Sequence, residues 1–193
     1  MSSSNPALLE GATRDLADFA AALQFEDIPG EVVERIKTSV LDSIGCCLFG
    51  ATLPWTQHVQ AMVEEEGSAG AASLFGSGKK TSVSGAVLVN ATAGHAFELD
   101  DIHKESIIHP GSIALPVTLA LAERAGGVSG RDLITALVAG YEIGTRVGNA
   151  ATMSLFFRGF HPQGTSGVFV PAAAAGRILG LDGLQMEHGL GIA

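Results

Sequence analysis

Seven ionisable side chains fall between residues 98 and 109 of a chain that is otherwise rich in Ala, Gly and Val: Glu98, Asp100, Asp101, His103, Lys104, Glu105 and His109. Pro110 and Gly111 follow, and then the run SIALPVTLALAE, whose spacing predicts a helix over residues 112–124. A carboxylate and imidazole cluster therefore stands directly before a helix start, where unpaired backbone N–H groups and the helix dipole favour an anion. Imidazole titrates near neutrality, so it is the side chain best suited to give or take a proton at such a place.

Residues 158–176, RGFHPQGTSGVFVPAAAAG, repeat the same logic. In both stretches a His-Pro pair precedes small residues, an apolar run, a proline and an Ala-rich helix. Two helix starts, each with a histidine at its mouth (His109 and His161), can converge on one anion. The plainer reading is that each His-Pro pair only caps and turns the chain, and it is the repetition that favours function. On the shared-site reading the two rings come within about 10 Å of each other, each at hydrogen-bond reach of one ligand. His58, His95 and His188 are expected to lie outside it.

The elements that must hold these residues read as helices. Leu16, Phe19, Ala20 and Leu23 recur at helical spacing after a polar arm over residues 1–12. A turn at Asp27, Pro29 and Gly30 leads into a long second helix, marked by Val32, Val33, Ile36, Val40, Leu41, Ile44 and Leu48 and stopped at Gly50. Pro54 opens a third. Residues 67–80 read as a Gly/Ser loop with one short strand at most, residues 82–97 as a buried helix that delivers the cluster, and Ser129 as the cap of a helix through Leu133, Leu137 and Tyr141. Roughly three quarters of the chain is helical on this reading, far above the usual share; the fold class is all-α.

Composition excludes several functions. The 193 residues are 47% hydrophobic and 16% charged, enough to bury a core in one domain. A net charge of −9 speaks against a nucleic-acid partner. Mean hydropathy is +0.34, but the uncharged windows carry Asn, Ser, Gln, Gly or Pro, so no membrane span is expected. The start lacks a basic region and an apolar core, and a cytoplasmic setting is expected. Cys46 and Cys47, the only cysteines, are adjacent on a helical pattern and point to different faces. They can build neither a four-Cys zinc site nor an iron–sulfur cluster. GSGKKTS, residues 76–82, lacks the spacing of a phosphate loop.

LDSIGCCLFG from Leu41, NATAGHAFELDD from Asn90, HPGSIALPVTLALAE from His109, GYEIGTRVG from Gly140 and GFHPQGTSGVFVPAAAAGRILGLD from Gly159 together resemble the MmgE/PrpD family over most of the chain. This family includes 2-methylcitrate dehydratase, cis-aconitate decarboxylase and iminodisuccinate epimerase. The resemblance implies an all-helical main domain with a smaller lid domain, homodimers, and cofactor-independent chemistry on small di- or tricarboxylates. By this resemblance its catalytic histidines fall on His109 and His161, and its acidic position before the Asp pair on Glu98, where the cis-aconitate decarboxylases have Asp. Ile102 stands where many lyase members have Thr, and the loop to His109 is one residue longer than in the decarboxylases. Family members are considerably longer, and residues 184–193 run to the last position in an apolar helical pattern with no cap. The chain is therefore expected to be the N-terminal part of the main domain, with the lid outside it.

Loss of water or carbon dioxide, or inversion at a carbon next to a carboxylate, each moves a proton at that carbon. His109 and His161 are the expected proton carriers, with Glu98 as a third catalytic group. Asp100, Asp101, His103, Lys104, Arg158 and Gln163 are expected to contact substrate, the cations offsetting its charge. No metal is expected. The leading reading is a 2-methylcitrate dehydratase-like lyase, with an iminodisuccinate epimerase-type isomerase as the alternative. From other classes, Asp100, Asp101, His103 and His109 could form a metal-binding module, though no compact HExxH-like spacing is present, or the chain could be a non-catalytic helical portion.

Overall fold

A computed structural model describes residues 11–193, so the first ten residues of the expected polar arm lie outside the described part. It is 68% helical. In order the chain forms α1 (Ala12–Ala22), α2 (Gly30–Gly50), α3 (Pro54–Glu65), strands β1 (Ala72–Ser73) and β2 (Lys80–Thr81), α4 (Val83–Gly94), α5 (Gly111–Arg124), α6 (Gly130–Phe156), α7 (Pro162–Thr165), α8 (Phe169–Ile178) and α9 (Gly183–Ile192). Among the described residues, no single helix is long and apolar enough to cross a membrane.

The helix boundaries follow local chemistry. Pro54 opens α3 at a position whose N–H would be unpaired anyway. Ser82 and Ser129 cap α4 and α6 by accepting from Gly85 N and Asp132 N, and Asp182 with Gln185 forms a full capping box on α9. Residues 67–80 depart from the expectation of at most one strand. Ala72 pairs with Thr81 and Ser73 with Lys80 in an antiparallel hairpin, and strands of two residues are too short to leave any alternation in sequence. Side chains outside the hairpin fix it: Asn90 accepts from Phe75 N at 2.9 Å and donates to Ser73 O at 2.8 Å, while Glu123 accepts from Ser73 N and Oγ.

The main core gathers Ile108, Leu115, Leu137, Ile143, Val170 and Met186, and a smaller one forms around Val63, Leu74 and Val89 under the hairpin. At the centre α8 lies against α6 along Gly140 and Gly144, where Val170 approaches the α6 backbone. One turn on, Gly148 admits the loop that carries the acidic cluster. A Cβ there would stand 2.6 Å from Ser106 Cβ and 2.7 Å from Ile108 Cδ1. This three-glycine stripe lets both His-Pro stretches approach one helix, because His109 directly follows Ile108 and α8 follows His161.

Gly148→Ala should overpack this contact and destabilise the fold by about 1–3 kcal/mol, measured by urea denaturation. A change within about 0.5 kcal/mol, the range of ordinary surface substitutions, would show that the loop yields freely.

Candidate functional site

The site begins where α4 ends. His95 follows its last residue, and the chain then turns tightly, with Glu98 in the left-handed region at φ 53°. The turn carries Asp100 back beneath His95. Asp100's side chain has 0% exposure, and His95 Nδ1 lies 3.1 and 3.2 Å from its two oxygens. His109 Nδ1 lies 3.3 Å from Asp100 Oδ1 and 3.3 Å from the Asp100 backbone oxygen. The two rings are 4.6 Å apart. The hydrogen bond to Asp100 raises the His95 pKa above the usual imidazole range, against the opposing effect of burial. The expectation that His95 lies outside the cluster is corrected: it shares a carboxylate with His109. His58 and His188 sit on exposed parts of α3 and α9.

Asp101 faces the other way. Its Oδ1 accepts from Gly111 N at 2.9 Å and its Oδ2 from the Tyr141 hydroxyl at 2.7 Å. Asp101 therefore supplies the anion that the start of α5 favours, and both its oxygens are engaged rather than open to substrate as expected. Burial raises its pKa, partly offset by these two bonds. Burial first and the Asp101 charge second push the Tyr141 pKa far up, so the phenol stays a donor.

The two His-Pro stretches meet through Gln163. Its Oε1 accepts from His109 N at 2.8 Å, and its Nε2 donates to His109 O at 3.1 Å and Ser112 Oγ at 3.3 Å. Expected to contact substrate, this amide instead clamps the backbone of the neighbouring histidine. On the same residue, Gln163 N donates to His161 Nδ1 at 3.1 Å. His161 thus caps α7, as the plainer reading required of it, and Nε2 is left as the open nitrogen of an exposed ring.

The remaining predicted residues do not join this centre. His103 pairs in a small antiparallel bridge with Ile108, and its Nδ1 meets Ser106 Oγ at 2.8 Å. It lines a hollow of ≈ 410 Å³ with Arg35, Asp101, Tyr141 and Thr145. Glu98, Lys104 and Arg158 are exposed, and none of the three forms an ion pair among the described residues. A larger apolar hollow, ≈ 550 Å³, lies beside Leu41, Cys46, Phe49, Phe97 and Leu99. Neither hollow is lined by His109 or His161, so the imidazole centre is distinct from both. Both cysteines are free and buried, and burial pushes Cys47 up to about 12, which leaves it a poor nucleophile.

His95, Asp100 and His109 each offer one atom within 4.8 Å of the others, the one place among the described residues where a metal ion could be held. The Asp100 carboxylate is already engaged by His95 Nδ1, and His109 Nδ1 by the Asp100 backbone oxygen. What the arrangement offers chemically is a pair of imidazoles at a buried carboxylate, with a third imidazole, His161, tied to the His109 backbone through Gln163.

Fold and site define an all-helical domain that collects imidazoles and carboxylates where helices begin. The chain belongs to the MmgE/PrpD family, whose N-terminal domain matches residues 14–193. It is 39% identical over 189 residues to a cis-aconitate decarboxylase of Aspergillus terreus, covering 95% of this chain and 38% of that protein. It is 35% identical over 188 residues to the cis-aconitate decarboxylase-like protein oryM of Aspergillus oryzae, covering 94% of this chain and 39% of that one. With the cis-aconitate decarboxylase of Homo sapiens it shares 29% identity over 200 residues, 96% of this chain and 40% of the human protein. The chain thus spans about two fifths of the length of the curated relatives it matches.

Two outcomes test this geometry. Gln163→Ala leaves the His109 amide without its acceptor and should cost about 1–3 kcal/mol, with faster hydrogen exchange at the His109 N–H; unchanged exchange would mean the clamp is not formed. The raised His95 pKa gives a stabilising contribution that is complete below about pH 6.5, the ordinary imidazole value, and is lost as pH rises through the folded-state value. The stability difference between the unmutated chain and His95→Gln should therefore be largest in mild acid and shrink above neutrality, as denaturation at several pH values would show. A difference that grows with pH would contradict the His95–Asp100 pair.

Proposed function

We propose that this chain carries the proton-transfer part of a lyase acting on a small tricarboxylate, with decarboxylation of a cis-aconitate-type acid as the favoured reaction. The observation that carries the proposal is the Gln163 clamp, which joins the His109 backbone to the residue that His161 caps. The names of the relatives support the substrate class, since they are cis-aconitate decarboxylases, and favour decarboxylation over the 2-methylcitrate dehydratase and epimerase readings.

Release of carbon dioxide from an unsaturated tricarboxylate breaks one C–C bond. Its electron pair is taken up by the adjoining double bond, and one proton must reach carbon. No electron is gained or lost from the substrate overall, so acid–base groups and anion binding suffice. His109 has Nδ1 turned to Asp100 and can present Nε2 to the reacting carbon. His161, with Nδ1 on the start of α7, can present Nε2 to the same anion. Arg158 and Lys104, both exposed, can swing to offset a second or third carboxylate.

In the full-length enzyme, His109→Ala and His161→Ala should each lower kcat by about a hundredfold or more, the usual scale for a lost general acid or base. Turnover per folded molecule that stays unchanged would return both residues to a capping role. Carbon dioxide release from cis-aconitate should exceed any turnover of citrate, 2-methylcitrate or iminodisuccinate, and dehydration of 2-methylcitrate as the dominant activity would overturn the decarboxylase assignment. Chelation should leave activity intact, and its loss together with one bound metal per chain would overturn the acid–base account.

A further inference from the structure

We propose that His95 is a positioning residue for His109, acting through Asp100: two imidazoles hold one buried carboxylate between them, which fixes the proton-bearing edge of His109 while His95 keeps that carboxylate from binding His109 as a closed ion pair. The catalytic consequence rests on the reading of His109 as a proton carrier. The arrangement itself does not, and it can be tested without substrate.

The geometry sets the roles of the nitrogens. The hydrogen-bond partner of His109 Nδ1 is the Asp100 backbone oxygen at 3.3 Å, an acceptor, so Nδ1 carries the hydrogen, with the carboxylate Oδ1 at the same distance as a charge neighbour. Nε2 is then the nitrogen left to exchange a proton, on a side chain only 13% exposed. The backbone on either side of the ring is held as well, by Gln163 at His109 N and O and by Ser112 Oγ donating to His109 O at 2.9 Å. A ring fixed at both its backbone and its Nδ1 edge has little freedom to turn. That preorganisation is what a proton donor aimed at one carbon requires.

His95 supplies what Asp100 alone cannot. A fully buried carboxylate facing a single imidazole would favour a permanent imidazolium, which does not release its proton readily. With His95 Nδ1 at 3.1 and 3.2 Å from the two oxygens, the carboxylate is engaged by His95, whose ring lies 4.6 Å from that of His109, centroid to centroid, at a tilt of 53°. The two rings and the carboxylate form one unit. The other titratable groups around it are Asp42, Cys46 and Cys47 of α2, Glu98 and Asp101 of the loop, and Tyr141 of α6. Burial holds Cys47 near 12 and Tyr141 far above its ordinary value, so neither exchanges protons with the unit in the range where imidazoles do.

The test is nitrogen-15 NMR of the imidazoles across pH, on the unmutated chain, His95→Gln and Asp100→Asn. Gln keeps an N–H donor for Asp100 but not the charge. In the unmutated chain the neutral form of His109 should be the Nδ1–H tautomer, opposite to free histidine in water. In His95→Gln the His109 imidazolium should persist to a pH higher by about half a unit or more. In Asp100→Asn both surviving imidazoliums should be lost at lower pH than in the unmutated chain. An Nε2–H tautomer in the unmutated chain, which needs no variant to fold, would overturn the proposal. So would a His109 titration that moves by less, or downward, in folded His95→Gln. Failure of the substrate panel with these signatures intact would reject the decarboxylase reading and leave this inference standing.

Discussion

The side-chain amide of Gln163 is the interaction on which the site depends. It reads the donor and the acceptor of one residue, His109, from a stretch 54 positions away. A carboxamide carries a donor and an acceptor side by side and so can satisfy a peptide N–H and C=O together, and a part-buried pair left unmade would cost desolvation of both. Because Gln163 lies two residues after His161, the same bonds that seat His109 set where the second helix mouth opens. The glycine stripe on α6 serves this end: without the close approaches at Gly144 and Gly148, the loop before α5 and the stretch before α8 could not both lie on one helix.

Most polar atoms in this region are committed to one another. Asp101 occupies the start of α5, Tyr141 holds Asp101, and Asp100 holds two imidazoles. Such closed networks are stiff, since any single loss leaves a buried group unpaired. Among the described residues they leave open Nε2 of His95, His109 and His161, together with the exposed cations Lys104 and Arg158. Expecting an anion at every helix start overlooks that a protein can fill the position itself, as Asp101 does. On the proposed function, an external carboxylate sits between Nε2 of His109 and Nε2 of His161.

Much of this was legible in the sequence. Helical spacing and the cap at Ser129 located helices, and the shared motifs located the family. The hidden parts are those that no periodicity encodes. His95 follows an apolar helix, where a lone histidine reads as part of the packing. Its meeting with Asp100 depends on a left-handed residue, Glu98, that sequence spacing does not announce. Gln163 looked like a substrate contact because it stands beside His161, and only the tertiary fold shows that its partner is backbone. The hairpin at residues 72–81 is set by Asn90 and Glu123 from other helices rather than by any pattern of its own.

The central claim is that His109 and His161 face one anion, and the most direct measurement is an NMR titration of the chain with cis-aconitate, following the ring signals of all its described histidines. The account predicts that the signals of His109 and His161 move together and saturate at one concentration, while those of His58 and His188 stay where they are. Movement of only one of the pair, or two saturations at well-separated concentrations, would contradict it.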